Sequence, residues 1–332
     1  MIKNIYLTFD YELFLGAKSG TIHNCMISPT NMLIEQFDKY NMKATFFVDI
    51  LFYIKLLREN EETAKEAKLI KEQLKTLVRK GHRIELHLHP HWEDAVYLNG
   101  NWVFPSYKHY RLDSLPENRI LKYFIDGVNE LNNIAREVNA DYQVSAFRAG
   151  GLCIQPFDKL ISSFRAVGVF IDSSVAPGLK VNSNNHSFSF LAITNNDFYK
   201  FSTDVCVKDD KGEFTELPLT IIDKTVIDKI FDKVHNTFYY SIYGDGIGMG
   251  SKSNKNKSDS FYSRLTKKYT QHLTMDSTSL FSFKRVFKRV ENKNIVMMCH
   301  PKFLSRDETP KIIKYLGSVR AHFKAIDISD RL

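Results

Sequence analysis

Four of the chain's eleven histidines fall between positions 82 and 91, in Gly81-His82-Arg83-Ile84-Glu85-Leu86-His87-Leu88-His89-Pro90-His91-Trp92. Side chains alternate along a strand, so Ile84, Leu86 and Leu88 share one face and Glu85, His87 and His89 the other. Pro90 turns the chain where that strand ends, after which His87 and His91 can converge on one ion. Imidazole is the usual ligand of zinc, and a catalytic zinc site needs three protein ligands and one open position. A single histidine is more often a polar residue on a solvated strand end; several alternating ones beside an apolar face point to a metal centre.

An oxygen donor must then come from another strand end. Leu7-Thr8-Phe9-Asp10-Tyr11-Glu12 supplies two carboxylates on one face, and such a pair can divide the work, one holding metal and one accepting a proton. Phe147-Arg148-Ala149-Gly150-Gly151 ends a further apolar run with an arginine, a fixed cation able to hold a carboxylate through two hydrogen bonds. Val296-Met297-Met298-Cys299-His300-Pro301 places a histidine, a candidate general acid, at the end of a late apolar run.

Strand and helix patterns alternate along the chain, as in βα units around a parallel sheet. Strands are expected at 5–9, 43–48, 83–89, 144–147, 169–171 and 295–299, and helices at 31–40, 59–80 and 116–138. Segments 181–196 and 244–257 read as surface excursions; the glycines of the second lack the spacing of a phosphate-binding loop. No repeat or linker divides the chain, so one domain spanning 1–332 is expected, with a basic insertion at about 244–290.

With 43% hydrophobic and 25% charged residues over 332 positions, disorder and fibrous repeats are excluded. No apolar run is long enough for a transmembrane helix. The start, Met1-Ile2-Lys3-Asn4-Ile5, does not read as a signal peptide. Four scattered cysteines (Cys25, Cys153, Cys206, Cys299) suit a reducing compartment. A cytoplasmic protein is therefore expected, with peripheral membrane contact as the variant. The net charge of +8 is concentrated in 251–290, where ten Lys/Arg face only Asp259 and Asp276. That stretch invites an anionic surface or ligand; it carries no nucleic-acid-binding motif.

In order along the chain these residues resemble the polysaccharide deacetylases of carbohydrate esterase family four. Thr8-Phe9-Asp10-Tyr11-Glu12 is similar to the family's T-F-D-D-G, Ala44-Thr45-Phe46-Phe47-Val48 to its A-T-F-F-V, and Gly81 through His91 to its G-H-E-I-x-x-H-T-x-x-H. The resemblance implies a distorted α/β, or (β/α), barrel with helical and basic loop insertions. It implies a hydrolase that removes an acetyl group, N-linked before O-linked, from a sugar, sugar nucleotide or glycan precursor. It also implies Glu12, His87 and His91 as ligands of a divalent metal (zinc first; cobalt, nickel or iron next), Asp10 as base, Arg148 as its holder and His300 as acid. Tyr11 stands where the family has its second aspartate, so Asp10 as the ligand is the alternative. Tyr11, His89 and Trp92 are expected to line the pocket. Another metal-dependent hydrolase of C–N bonds, or a non-catalytic metal-bound carbohydrate-binding or assembly protein, would carry the same residues.

Overall fold

The nearly unbroken apolar runs of the sequence become strands buried on both faces, as a parallel sheet covered by helices requires. The computed structural model describes residues 2–195, 197–238, 241–249 and 269–332. Its main sheet has nine strands: β1 (Lys3–Tyr11), β2 (Thr45–Asp49), β3 (Arg83–Leu88), β4 (Ala146–Ala149), β5 (Ile171–Asp172), β6 (Tyr199–Phe201), β7 (Phe214–Glu216), β8 (Asn294–Cys299) and β9 (Ala321–Lys324). They lie in the order β6-β7-β5-β4-β3-β2-β1-β8, with β9 beside the first half of β1. Every pairing is parallel except β6 with β7. The sheet curls into an incomplete (β/α) barrel, and its strand ends place Asp10, His87, Arg148 and His300 around one mouth.

Eight α-helices are present among the described residues: α1 (Ser28–Tyr40), α2 (Ile50–Glu59), α3 (Glu61–Arg79), α4 (Glu117–Arg136), α5 (Ile161–Val167), α6 (Val226–Phe238), α7 (Leu280–Phe287) and α8 (Glu308–Gly317). The helix expected at 59–80 starts at Glu61, because Asn60 caps it: its side chain accepts from the Thr63 amide while Thr63 returns the bond. α2 was not expected at all. Its apolar Ile50-Leu51-Phe52-Tyr53 follows the apolar run of β2 with only Asp49 between them, so no change of period marks the junction.

The alternation expected of β3 holds. Leu86 and Leu88 face α4, which comes so close that a side chain on Gly127 would lie 2.8 Å from Leu86. Glu85 points inward and accepts from the amides of Ser145 and Ala146, both at 2.8 Å. The 181–196 excursion includes a short hairpin, Lys180–Asn182 with Ser187–Ser189. No helix among the described residues is long and apolar enough to cross a membrane.

Of the basic stretch, Lys252, Lys255, Lys257, Arg264, Lys267 and Lys268 lie outside the described residues. Arg285 and Arg289 hold the buried Asp228 at 2.9 and 3.0 Å, so these two cations serve the fold.

Deeper in the barrel, Asp172 and Glu216 sit side by side on β5 and β7, both fully buried. Burial, then the neighbouring Asp172, pushes the Glu216 carboxyl well above the usual range. A group raised on folding stabilises fully below its unfolded value, near 4.3, and loses that contribution as pH rises toward its folded value. Glu216→Gln can still donate to Asp172 without a second charge. It should therefore raise stability by about 1–3 kcal/mol in mildly alkaline buffer and have little effect near pH 4. Thermal unfolding at both pH values checks this; an equal shift at both would refute the paired-acid account.

Candidate metal and catalytic site

Asp10 and Glu12 project from the end of β1 to the same side, and Arg148 reaches them from β4. Arg148 is wholly buried; its Nη1 donates to Asp10 Oδ1 at 2.6 Å, while Nε and Nη2 donate to the backbone and hydroxyl oxygens of Ser173 at 2.8 and 3.0 Å. The guanidinium also lies over the Phe47 ring at 4.2 Å. Burial alone would raise the Asp10 carboxyl, but the Arg148 cation, helped by His87 and His300, holds it below its ordinary value. Asp10 is thus a carboxylate at neutral pH with Oδ2 left toward the cavity.

His87 is oriented by a backbone carbonyl. Its Nδ1 lies 2.8 Å from the Arg148 oxygen, which can only accept, so Nδ1 carries the proton and Nε2 faces the carboxylates. Nε2 is 3.3 Å from Glu12 Oε2 and 4.0 Å from Asp10 Oδ2. Burial disfavours the charged ring, but Asp10 and Glu12 outweigh it and push His87 up to about 9. His89 continues the same face, its Nε2 2.5 Å from Glu12 Oε2. Its ring fits because position 150 is glycine: a Cβ there would lie 2.7 Å from His89 Nδ1. Burial again opposes ionisation of Glu12, yet Lys302, then His89 and His87, hold it well below the usual carboxylate range.

Glu12, His87 and His89 place one donor atom each within 4.8 Å of one another, the one such group found among the described residues. This group pairs His87 with His89, where the sequence reading pairs His87 with His91; the His91 ring lies 4.9 Å from that of His89 and lines the same cavity. His89 keeps extended backbone, φ −114° and ψ 95°, and so stays on the His87 face. The Pro90–Glu93 turn then carries His91 into an aromatic nest, its ring 5.2 Å from Phe104 and 5.3 Å from Trp92. Burial keeps His91 neutral, far below its ordinary value. Nδ1 of His89 and Nδ1 of His91 are buried without a hydrogen-bond partner. Two imidazoles and a carboxylate brought together, with an orphaned buried nitrogen on His89, fit a divalent ion that accepts nitrogen and oxygen donors. His89→Ala should lose bound metal by elemental analysis while His91→Ala retains it; the opposite pair of results would restore the pairing of His87 with His91.

His300 closes the opposite side. Its Nδ1 pairs with Asp276 Oδ2 at 2.7 Å and its backbone amide with Asp276 Oδ1 at 2.9 Å. Nε2 is thereby aimed at the carboxylates, 3.8 Å from both Asp10 Oδ2 and Glu12 Oε1. Burial would lower the ring's basicity, but Asp276 and then Asp10 raise it. A cavity of about 250 Å³ opens between these groups, lined among others by His89, His91, Tyr110, Leu152, His300 and Lys302. A larger cavity of about 450 Å³ lies beside Lys224, Lys229 and Tyr269, away from this cluster, so volume alone does not mark the site.

Two expected pocket residues lie elsewhere. Tyr11 falls between Asp10 and Glu12, so strand alternation sends it to the other face, where its fully buried hydroxyl donates to Gln73 of α3. Trp92 is buried against Phe52 and Trp102 and donates to Asp49 Oδ2 at 2.5 Å. Three residues not singled out in the sequence join the site. Asp276 is one of the two acids of the basic stretch. Lys302 stands two residues beyond His300. Asp49, at the end of β2, lines the cavity with one oxygen unpartnered, its carboxyl pushed up by burial to about 6.

No family profile matches the chain, and no curated protein matches it in sequence. Solved structures do. A crystal structure from Mycobacterium smegmatis assigned to the polysaccharide deacetylases aligns over 98% of this chain and 87% of its own, with TM-score 0.51 and 13% identity. A polysaccharide deacetylase from Bacillus cereus aligns over 98% and 93%, with TM-score 0.42 and 12% identity. A family 4 acetyl xylan esterase from Clostridium thermocellum, solved with a cobalt ion, covers 52% of this chain and 58% of its own, at TM-score 0.26 and 22% identity. At such identities the first of these establishes the fold: the incomplete barrel is of the polysaccharide deacetylase type.

Proposed function

We propose that the chain is a divergent polysaccharide deacetylase, a metal-dependent hydrolase that removes an acetyl group from an amide nitrogen of a sugar, sugar nucleotide or glycan precursor. The observation that carries this reading is the opposition of an Arg148-held carboxylate and an Asp276-held histidine across a group of buried metal-type donors. The whole of 1–332 acts as one catalytic unit in this proposal, and the charge of 251–290 draws in an anionic substrate or surface. Four unpaired cysteines support the cytoplasm as its compartment.

Glu12, His87 and His89 would hold the divalent ion, which supplies Lewis acidity toward the acetyl carbonyl and the attacking water. Arg148 occupies Asp10 Oδ1, so Oδ2 is the atom that takes the proton from water. His300 Nε2, protonated under the influence of Asp276, gives its proton to the departing nitrogen as the C–N bond breaks, yielding acetate and a free amine. The aromatic and aliphatic wall of Tyr110 and Leu152 limits water around the reacting carbonyl.

The test is metal analysis of purified protein followed by acetate release from acetylated monosaccharides, sugar nucleotides and oligosaccharides, before and after chelator treatment. Acetate release abolished by chelation and restored by zinc or cobalt is expected. Metal without acetate release from any member would favour another amide substrate or a binding role; protein that takes up no metal would overturn the proposal.

A further inference from the structure

We infer that Lys302 restricts Glu12 to a single ligating oxygen and thereby tunes the site to ions that take few ligands. The inference rests on the reading of Glu12, His87 and His89 as the metal-binding group.

The two oxygens of Glu12 are divided. Oε2 faces His89 at 2.5 Å and His87 at 3.3 Å, whereas Oε1 accepts from Lys302 Nζ at 2.8 Å. Lys302 is itself immobile. Its side chain is buried, its ammonium also donates to the Leu13 carbonyl at 2.6 Å, and it lies over the rings of Phe14 and Phe303 at 5.1 and 5.6 Å. Its backbone carbonyl accepts from the Gly244 amide at 2.9 Å, where a side chain on Gly244 would come within 2.5 Å of that same oxygen. For Glu12 to bind an ion with both oxygens, Oε1 must turn from Lys302 and leave a buried ammonium with the Leu13 carbonyl but no counter-charge, an arrangement that proteins avoid.

Ions differ in what this denies them. Zinc is satisfied by three protein ligands and one further position. Manganese and other hard cations prefer more oxygens in a larger shell, and for them a two-oxygen carboxylate is a favoured donor. Lys302 also repels every divalent ion about equally through its charge, so its effect on any one affinity mixes repulsion with ligand orientation. The ratio of two divalent affinities removes the shared part and leaves the shell-size preference.

Lys302→Met keeps the stem that packs on Phe14 and Phe303 while removing the ammonium. The dissociation constants of Zn²⁺ and Mn²⁺, measured by chelator competition in the wild-type protein and the variant, should show the Mn²⁺/Zn²⁺ ratio falling by about tenfold or more, the lower end of what partners of metal ligands typically contribute. A ratio that does not move, in a wild-type protein that binds both ions, overturns the role of Lys302 alone. A wild-type protein that binds neither ion overturns the metal-site reading and this inference with it. If Lys302→Met does not fold, the wild-type protein loaded with Co²⁺ decides: the intense visible absorption of a four-coordinate ion supports the inference, and the weak absorption of a six-coordinate ion overturns it.

Discussion

Asp10→Asn should reduce turnover by about 10²–10⁴-fold, the range for loss of a positioned base, while leaving metal content and KM near those of the wild-type protein. Asparagine keeps the shape and can still accept from Arg148 Nη1 through its oxygen, but it cannot take a proton from water. With Glu12 as the proposed ligand metal should stay, because Glu12 stands nearer Nε2 of His87 than Asp10 does, 3.3 against 4.0 Å. The variant will also lose stability, since Arg148 is wholly buried and its opposing charge is gone. Activity must therefore be measured well below the variant's unfolding midpoint. The folded-state control is Ser173→Ala, which removes the hydroxyl that accepts from Arg148 Nη2 at 3.0 Å and leaves Asp10 charged. It should loosen Asp10 and cost far less in rate. Metal lost from Asp10→Asn would make Asp10 the ligand, and the division of labour with Glu12 would then be reversed.

The site was legible in the sequence wherever strand alternation alone decides which way a side chain points. Asp10 and Glu12, and Glu85, His87 and His89, follow period two on strands buried on both faces, and the structure turns each set inward. The same rule places Tyr11 outside the cavity, so its expected pocket role conflicted with the period that located its neighbours. Past a strand end the rule lapses. Pro90 begins a tight turn that sends Trp92 among Phe52, Trp102 and Phe104 and leaves His91 between Phe104 and the cavity, and sequence spacing does not encode those directions. The remaining partners are contacts across long stretches of chain. Asp276 meets His300 from 24 residues away, and Lys302 meets Glu12 from 290. The second depends on β8 lying beside β1 and the first on the 273–276 segment lying along β8, facts of tertiary order that local pattern does not contain.

The contact between Asp276 and His300 leads to the other large effect. His300→Ala should lower amide hydrolysis by about 10²–10⁴-fold and spare esters with good leaving groups, which depart without a proton. Asp276→Asn should act more selectively. His300 donates only while protonated, and its basicity in the folded protein is a balance in which burial opposes the Asp276 and Asp10 carboxylates. Removing the Asp276 charge lets burial prevail, so the ring gives up its proton at lower pH. The alkaline limb of the pH–rate profile for amide hydrolysis should therefore move to lower pH, while the acid limb, set by ionisation of a carboxylate that Arg148 holds low, should stay in place. Asparagine can still accept from the His300 backbone amide, now 2.9 Å from Asp276 Oδ1, so the ring need not swing away. A uniform drop in rate with an unmoved alkaline limb would mean that Asp276 only positions His300. Loss of the limb's shift together with full activity toward amides would mean that His300 is not the proton donor, because a donor whose basicity has fallen must report it in the pH at which the reaction fails.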